Sequence, residues 1–321
     1  MTPPPATSET AAPVLPEHVD LTVDVGPLKL ANPVMTASGT AGLGREMEPF
    51  WPLDAAGAVV VKTLTKVPRR GNPMPRLAET PSGLLNSIGL PNKGVDHFLE
   101  HMLPDLAGRA ACLVINIAGA SVAQFAEIAG QFEGREGVDA LELNVSCPNA
   151  EGGNLPFARD PAVVEALVRD VRSATDLPLI TKLSPNVDDI AGAAQAAVAG
   201  GTDIVSLINT LLGMAVDWRT GAPGLGTVVG GLSGPAIKPV ALRMVHEVVS
   251  KVDVPVIGIG GITTVDDALE FLTVGASAVQ IGTANYRAPD AVPRIVEQLR
   301  QRLAEVGKRR VVDQIRTLKV P

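Results

Sequence analysis

Residues that could do chemistry are concentrated in Ala140–Leu155, which reads ALELNVSCPNAEGGNL. Apolar and polar side chains alternate as far as Val145, and this alternation predicts a buried strand. The strand leads into a loop that carries Ser, Cys, Pro, Asn and a pair of glycines. Parallel α/β enzymes keep their reactive groups at strand ends and in the loops that follow. We therefore expect Cys147 to be catalytic and Asn144 to hold a ligand.

Cys147 has three possible roles: a nucleophile, a proton-abstracting base or a small buried apolar residue. A reactive thiolate needs a nearby cation or helix terminus, and Lys62 is a candidate for that cation. The four histidines lie in the N-terminal tail or on predicted helices, which argues against a Cys–His hydrolase. A base on the loop after the strand is therefore favoured. Cys112 begins an apolar strand, and we expect it to belong to the core.

Two lysines, Lys62 and Lys182, end apolar strands. A lysine in such a place must face a ligand or a carboxylate, because an unpaired charge in an apolar core is costly. As ligand contacts, these cations would suit the pyrimidine ring of a flavin, where they would stabilise the negative charge of the reduced ring. A salt bridge to a neighbouring acidic side chain is the alternative.

Asparagines recur near the same strand ends, and each amide both donates and accepts hydrogen bonds. A planar ligand with alternating C=O and N–H groups, such as a pyrimidine, needs partners of this kind. The candidates are Asn86, Asn144, Asn149 and Asn209. Turn formation is the alternative for each of them, and that alternative is strongest for Asn149.

Glycines follow the last two predicted strands, as Gly260-Gly261 and as Gly282-Thr283. Glycine lets backbone N–H groups approach an anion closely, and helix N-termini near Thr264 and Asp290 would add favourable dipoles. The two loops together predict a phosphate site. The alternative is that the glycines only turn the chain.

Eight apolar runs rich in β-branched residues alternate with helix-like segments. The predicted strands are Pro33–Ala37, Ala58–Thr63, Leu113–Ile117, Ala140–Val145, Leu179–Leu183, Asp203–Asn209, Val256–Ile259 and Ala278–Ile281. The predicted helices include Gly94–Leu106, Val122–Phe132, Pro161–Ala174, Asp188–Ala199, Pro235–Val252, Thr264–Val274 and Pro289–Glu305. Ser121, Asp160 and Thr264 are suitable N-caps for three of these helices.

This alternation is typical of a (β/α)8 TIM barrel. A doubly wound open sheet is the competing fold, but the loop after the first strand, Ser38–Gly42, lacks the GxGxxG spacing. The sequence of Val19–Leu30 predicts a short hairpin around Gly26-Pro27 before the barrel. Two long insertions, Leu64–Lys93 and Thr210–Gly234, follow strands and so belong to the C-terminal face, as lids or as a surface for a partner.

Composition limits the classes of function. The net charge of −7 argues against nucleic acid or an anionic membrane as the main partner. The two cysteines form no metal or disulfide pattern, so we predict no metal site and a reduced cytoplasmic location. Residues 1–17 are rich in Pro, Ala and Thr and predict a disordered tail, which leaves 18–321 as a single barrel domain.

Taken together, these motifs resemble those of the class 1 dihydroorotate dehydrogenases, in particular the NAD-linked 1B type. The resemblance runs from about Leu21 to Val306. The matching motifs are NPVMTASG, VVKTLTKVPRRGNPMPRLAET, LLNSIGLPN, LNVSCPN, TKLSPN, SLINTLLGMAVDW, GGLSGPAIKP, GIGGI and QIGTA.

The resemblance implies the oxidation of (S)-dihydroorotate to orotate in pyrimidine synthesis, with hydride passing to FMN and Cys147 as the base. The implied substrate-binding residues are Lys62, Asn86, Ser87, Ile88, Gly89, Leu90, Asn144, Asn209 and Thr210. The implied FMN-binding residues are Ser38, Lys62, Thr63, Asn116, Asn144, Lys182, Ile208, Gly234, Gly260, Gly261, Gly282 and Thr283.

The 1B type also implies partners. Electrons would pass to NAD through a second subunit that carries FAD and a [2Fe–2S] cluster, in a heterotetramer built on a dimer of catalytic subunits. This chain has too few cysteines to ligate such a cluster itself. Three alternatives stay open. They are a fumarate-reducing 1A enzyme, another FMN-dependent dihydropyrimidine oxidoreductase, and a phosphate-binding aldolase or isomerase barrel in which Lys182 forms a Schiff base.

Overall fold

A computed structural model of the chain describes residues 13–146 and 157–320. Its strands, in chain order, are β1 (Val23–Val25), β2 (Leu28–Leu30), β3 (Val34–Thr36), β4 (Val59–Val60), β5 (Leu77–Thr80), β6 (Gly83–Asn86), β7 (Leu113–Ile117), β8 (Ala140–Asn144), β9 (Leu179–Lys182), β10 (Ile204–Leu207), β11 (Leu211–Met214), β12 (Val216–Asp217), β13 (Ala222–Pro223), β14 (Val229–Ser233), β15 (Val256–Ile259) and β16 (Ala278–Ile281).

Eight of these strands form one parallel barrel, in the spatial order β3-β16-β15-β10-β9-β8-β7-β4. A parallel bridge between Met35 on β3 and Ala58, directly before β4, joins the two ends of this order and closes the barrel. The barrel strands are buried along their whole length, as expected when helices cover the outer face. The (β/α)8 fold and all eight predicted strands are therefore confirmed.

The helices are α1 (Val95–His101), α2 (Leu103–Leu106), α3 (Val122–Phe132), α4 (Pro161–Ala174), α5 (Ile190–Ala199), α6 (Lys238–Val249), α7 (Val265–Val274), α8 (Ala284–Arg287) and α9 (Ala291–Glu305). Short 3-10 turns lie at Pro16–His18, Arg45–Met47, Leu53–Ala55, Phe157–Arg159, Pro235–Ile237 and Val311–Gln314.

The predicted N-caps are confirmed. Ser121, Asp160 and Thr264 each accept a hydrogen bond from a backbone N–H in the first turn of α3, α4 and α7. The segment predicted as one helix from Gly94 to Leu106 is instead divided at Met102, because Pro104 in the next turn cannot donate a backbone hydrogen bond.

The hairpin before the barrel is present, with β1 antiparallel to β2 across the Gly26-Pro27 turn. Ordered structure begins earlier than the predicted boundary at residue 17. Val14 packs against the core, and Pro16–His18 form a 3-10 turn. The rest of the predicted tail, residues 1–12, lies outside the described residues.

The two long insertions combine into one structure that the sequence pattern did not predict. Each contributes two strands to an antiparallel sheet of order β11-β14-β6-β5, which we call the small sheet. Its central pairing joins β6 from the first insertion to β14 from the second. The small sheet stands beside the C-terminal ends of the barrel strands, since β11 follows β10 after a three-residue connection.

In the part of the chain that the structure describes, no helix is both long enough and apolar enough to cross a membrane.

Candidate active site

A cavity opens at the C-terminal ends of the barrel strands, where the fold is expected to keep its chemistry. Counted out to its open mouth, the cavity measures about 1090 Å³, which is sufficient for a cofactor together with a small substrate. The small sheet supplies part of its wall through Leu84, Asn86 and Ser233.

Most of the residues predicted to bind ligands line this one cavity. They are Ser38, Lys62, Thr63, Asn86, Ile88, Gly89, Leu90, Asn144, Lys182, Ile208, Asn209, Thr210, Gly234, Gly260, Gly261, Gly282 and Thr283. The predicted strand ends therefore converge as the barrel pattern requires.

Two predicted binding residues lie behind the cavity wall. Asn116 is fully buried in the barrel and donates from Nδ2 to the carboxylate of Glu142 at 2.7 Å. The hydroxyl of Ser87 is occupied by Asn72 and Thr227. Their assignment as ligand contacts gains no support from the geometry. Cys147 and Asn149 lie outside the described residues.

Lys182 combines the two alternatives that the sequence left open. Its side chain is only 6% exposed and borders the cavity, where Nζ donates to Ser38 Oγ at 3.2 Å. The same ammonium lies 3.8 Å from a carboxylate oxygen of Glu142, which is fully buried beneath the cavity. Lys182 is thus both a cavity cation and half of a buried ion pair.

Lys62 has a different environment. Burial lowers the pKa of its ammonium below the ordinary 10.5, and no acidic side chain among the described residues counteracts that shift. Lys62 is partly buried, and a cation in that position without a counter-charge is unfavourable unless a ligand supplies the charge. Because Lys62 borders the cavity, its environment indicates that the ligand is an anion.

The asparagines form part of a connected polar wall. Asn209 Nδ2 donates to Asn144 Oδ1 at 3.2 Å, and Asn209 Oδ1 accepts from the backbone N–H of Thr210 at 2.8 Å. Asn86 Nδ2 donates to the carbonyl of Gly231 at 3.2 Å, which ties the two insertions together. The wall therefore presents fixed amide groups to a ligand.

The loops after β15 and β16 present free backbone donors to the cavity. Across the two described ranges, the N–H groups of Gly261, Gly282 and Thr283 find no hydrogen-bond acceptor. Gly261 has a φ of +75°, and a Cβ there would lie 2.7 Å from Lys238 Cβ. Its glycine is thus required by the turn and by packing on α6, whereas the unpaired N–H groups are what indicates an anion site.

The predicted helix dipoles do not contribute to that site. The N-terminus of α7 is already capped, because the Asp267 carboxylate accepts from the N–H groups of Thr263 and Thr264. Burial alone would raise the pKa of Asp267, but hydrogen bonds from Lys238 and from these N–H groups lower it to about 2. After β16, the four-residue α8 comes before α9, so the N-terminus near Asp290 is displaced from the loop.

Four polar cavity residues were missed by sequence reasoning, namely Thr40, Ser233, Thr263 and Tyr286. Ser233 and Thr283 share a hydrogen bond at 2.7 Å between their hydroxyl groups, Tyr286 donates to the carbonyl of Gly39 at 3.2 Å, and Thr263 follows GIGGI. Each lies within three residues of a predicted binding residue, which is Ser38, Gly234, Gly261 or Thr283. Attention to the flanking hydroxyl groups would have found them.

Comparison with known proteins gives a consistent result. Residues 20–303 match the family described as "Dihydroorotate dehydrogenase". A protein of Maridesulfovibrio salexigens is 49% identical over 94% of this chain and 100% of its own length. A protein of Solidesulfovibrio magneticus is 52% identical over 90% of this chain and 95% of its own. Both are named "Dihydroorotate dehydrogenase B (NAD(+)), catalytic subunit". This chain belongs to the dihydroorotate dehydrogenase family.

Proposed function

We propose that this chain is the catalytic subunit of an NAD-linked dihydroorotate dehydrogenase, which oxidises (S)-dihydroorotate to orotate in the synthesis of pyrimidines. The observation that carries the proposal is the convergence of Lys62, Lys182 and the bonded pair Asn144–Asn209 on one cavity. This cavity is bordered by backbone N–H groups that have no acceptor among the described residues. The names of the relatives point to the same reaction.

The residues present fit FMN. The free N–H groups of Gly261, Gly282 and Thr283, together with the hydroxyl groups of Ser233 and Thr283, would hold its phosphate. The nearby Lys238 is already paired with Asp267 and Glu270, so the backbone and hydroxyl donors would make these contacts. Lys182, Ser38 and Thr63 would contact the flavin ring. When bound, FMN supplies the hydride acceptor.

Lys62 and the asparagines would bind the substrate. Dihydroorotate is a carboxylated cyclic amide, so it offers an anion to Lys62 and C=O and N–H groups to Asn86, Asn144 and Asn209. The backbone of Ile88–Leu90 and the hydroxyl of Thr210 complete this side of the cavity. Binding the anion would also offset the unfavourable burial of Lys62.

Cys147 would take the C5 proton of the substrate. The residue comes directly after Ser146, whose hydroxyl approaches the Lys182 carbonyl at 3.5 Å near the floor of the cavity. At neutral pH a cysteine thiolate is a stronger base than a serine hydroxyl that has no activating partner. Two observations support this assignment. Cys147 follows a strand that borders the cavity, and none of the described residues of the cavity wall is a cysteine.

A partner subunit would carry the electrons onward. We propose that it holds FAD and a [2Fe–2S] cluster, and that two catalytic and two electron-transfer subunits form a heterotetramer around a contact between the catalytic subunits. Eight of the sixteen large apolar side chains that are exposed in the described structure lie on the small sheet and its flanking loops, which suits a protein interface. These side chains are Met74, Leu77, Leu212, Met214, Val216, Trp218, Val228 and Val229.

Purification of the full chain tests the catalytic proposal. We expect a yellow protein whose FMN is reduced by dihydroorotate under anaerobic conditions, and not by dihydrouracil. A colourless protein that does not oxidise dihydroorotate would favour the aldolase or isomerase alternative, and reduction by dihydrouracil would favour another dihydropyrimidine oxidoreductase.

The choice of electron acceptor tests the subunit proposal. We expect NAD reduction only when the chain is co-purified from its native source with a protein that contains FAD and iron. Efficient fumarate reduction by the isolated chain would show a 1A-type enzyme instead.

A further inference from the structure

A fully buried carboxylate, that of Glu142, lies in the middle of the barrel below the cavity. It is held by side chains from four other strands. Oε2 accepts from Asn116 Nδ2 at 2.7 Å, while Oε1 accepts from Ser206 Oγ at 3.0 Å and Gln280 Nε2 at 2.8 Å. Lys182 Nζ lies 3.8 Å from Oε2. No ligand contact predicted above uses Glu142.

The arrangement of these neighbours suits a negatively charged carboxylate. All three neutral partners are oriented as donors, whereas a protonated acid would need one of them to accept. Asn116 Oδ1 and Gln280 Oε1 are left buried without a partner in the described structure. Leaving two amide oxygens unpaired is costly, and donation to an anion is the interaction that offsets it.

The same arrangement fixes the position of Lys182. Its ammonium is bordered by Ser38 Oγ on one side and by Glu142 on the other. A flexible lysine chain would otherwise have several rotamers open to it inside a cavity of this size. The carboxylate also offsets part of the positive charge that Lys182 presents to a ligand.

We propose that Glu142 is a positioning residue that holds the Lys182 ammonium at the floor of the cavity and limits how strongly that ammonium favours reduced over oxidised flavin. The inference rests on the proposed function. Such a limit suits the proposed reaction, because electrons must pass from the flavin to NAD. An uncompensated cation beside the ring would stabilise the reduced form and hold the electrons back.

The test is the midpoint potential of FMN bound to the full-length chain. In Glu142→Gln, which keeps the shape and removes the charge, we expect a shift to higher potential. The equilibrium constant for reduction should rise about tenfold, which corresponds to about 30 mV for a two-electron couple. Lys182→Met should shift the potential in the opposite direction. The double variant, which lacks both charges, should lie between the two single variants.

Two further variants separate charge from packing. Ser206→Ala removes one donor to Glu142 but no charge, and we expect its potential to stay close to that of the wild type. Glu142→Asp retains the charge, and it should resemble the wild type more closely than Glu142→Gln does. If Glu142→Gln does not fold, Glu142→Asp still tests the role of the charge, because its shorter side chain moves the carboxylate away from Lys182. Its midpoint potential should then lie slightly above that of the wild type, and a potential at or below the wild type would overturn the inference.

The outcomes are distinct. A Glu142→Gln potential at or below that of the wild type would overturn the inference. So would an equal shift in Ser206→Ala, because packing would then be the cause. Failure of the wild-type chain to bind FMN at all would instead overturn the proposed function. A visible flavin spectrum in each variant, recorded before titration, distinguishes the two failures.

Discussion

Asn209 and Asn144 are joined by a hydrogen bond in which Asn209 Nδ2 donates to Asn144 Oδ1 at 3.2 Å. The bond determines what each amide has left to offer. Asn209 Oδ1 already accepts from Thr210 N–H at 2.8 Å, whereas Asn144 Nδ2 has no acceptor in the described part of the chain. Asn144 therefore presents a donor to the cavity, and Asn209 holds it in that orientation.

This pairing predicts non-additive mutants. Asn144→Ala and Asn209→Ala should each weaken orotate binding, but the double variant should lose less than the sum of the two. Directly contacting residues couple by about 0.5–3 kcal/mol. Orotate titration of the FMN-loaded variants measures the coupling. Additive losses would mean that the two amides bind the ligand independently.

Lys62 predicts a pH-dependent affinity. Only the ammonium binds an anion, and burial lowers its pKa below 10.5. Orotate affinity should therefore fall as the pH rises through that lowered value, before free lysine would titrate. In Lys62→Met, orotate affinity should fall roughly 10- to 150-fold at neutral pH, since a hydrogen bond to a charged group is worth about 1.5–3 kcal/mol. The affinity should also no longer change with pH in the alkaline range.

The matched control for Lys62 is Lys66. It is 41% exposed and pairs with Glu127 at 2.5 Å. Lys66→Met should leave orotate affinity and its pH profile unchanged. An unaltered alkaline profile in Lys62→Met would exclude Lys62 as the anion contact.

Cys147 predicts a selective loss of the proton-transfer step. Cys147→Ser should slow single-turnover reduction of FMN by dihydroorotate about 10²- to 10⁴-fold near neutral pH, with orotate binding retained, because general bases contribute on that scale. Stopped-flow absorbance of the flavin measures the rate. Reduction at the wild-type rate would remove Cys147 from the mechanism.

Cys112 provides the control thiol. Burial first, and the Asp139 carboxylate second, raise its pKa to about 12, so it is unreactive at neutral pH. Cys112→Ala should keep the wild-type reduction rate. Alkylation with iodoacetamide should inactivate the wild type and Cys112→Ala alike, and orotate should protect both.

The glycine loops predict two distinguishable effects on FMN retention. Gly282→Ala has room for its methyl group within the protein, where the nearest atom is Ala37 Cβ at 3.5 Å. We expect normal stability but FMN affinity lower by roughly tenfold or more, since a blocked anion contact is worth about 1.5–3 kcal/mol. Gly261→Ala should reduce both stability and affinity, because its φ is +75° and Lys238 lies too close.

Gly130, within α3, is the matched control because its added methyl group would meet nothing nearer than 3.6 Å. Gly130→Ala should stabilise the chain by about 0.5–1 kcal/mol and leave FMN affinity unaltered. Thermal unfolding and FMN titration of the three variants check these outcomes. Undiminished FMN affinity in Gly282→Ala would exclude the phosphate from this loop.

We expect Asp267 to stabilise the folded chain by an amount that decreases at acid pH. Its carboxylate caps α7, and its folded pKa is lowered from 3.8 to about 2. Because the pKa is lowered in the folded chain, the ionised carboxylate stabilises the fold above pH 3.8. This stabilisation is lost as the pH falls towards 2. Asp267→Ala should be less stable than the wild type by about 1–2 kcal/mol at pH 7, and the difference should narrow below pH 3.8.

Asp266 is the control for Asp267, because it lies in the same helical turn with its side chain 67% exposed. Its contact with Arg302 is a surface ion pair, so Asp266→Ala should change the free energy of unfolding by less than about 1 kcal/mol. Urea unfolding across this pH range checks both variants. A stability difference for Asp267→Ala that does not depend on pH would show that its charge is not involved.

The barrel was predictable because its signals are local. Apolar runs define buried strands, and capping residues define helix starts, so α3 and α4 begin and end at the predicted residues. Most of the cavity wall followed from placing strand ends on one face. The ion pair did not follow, since an alternating pattern marks Glu142 only as polar and does not show that Lys182, on the neighbouring strand β9, lies 3.8 Å from it.

The small sheet could not be predicted from local pattern. Its strands are short and half exposed, and β6 pairs with a strand that lies far along the chain. Asn116 shows a related limit. Its position near the end of β7 was correct, but only the geometry of the barrel shows that its side chain points to the layer below the cavity, towards Glu142.

The pairing of β6 with β14 makes each of the two insertions structurally dependent on the other. Asn86 on one bonds to Gly231 on the other, although they are 145 positions apart. A chimera that received either insertion alone would have an unpaired strand edge and an incomplete cavity wall. Recombination between related barrels should therefore preserve this part of the cavity wall only when both segments are transferred together.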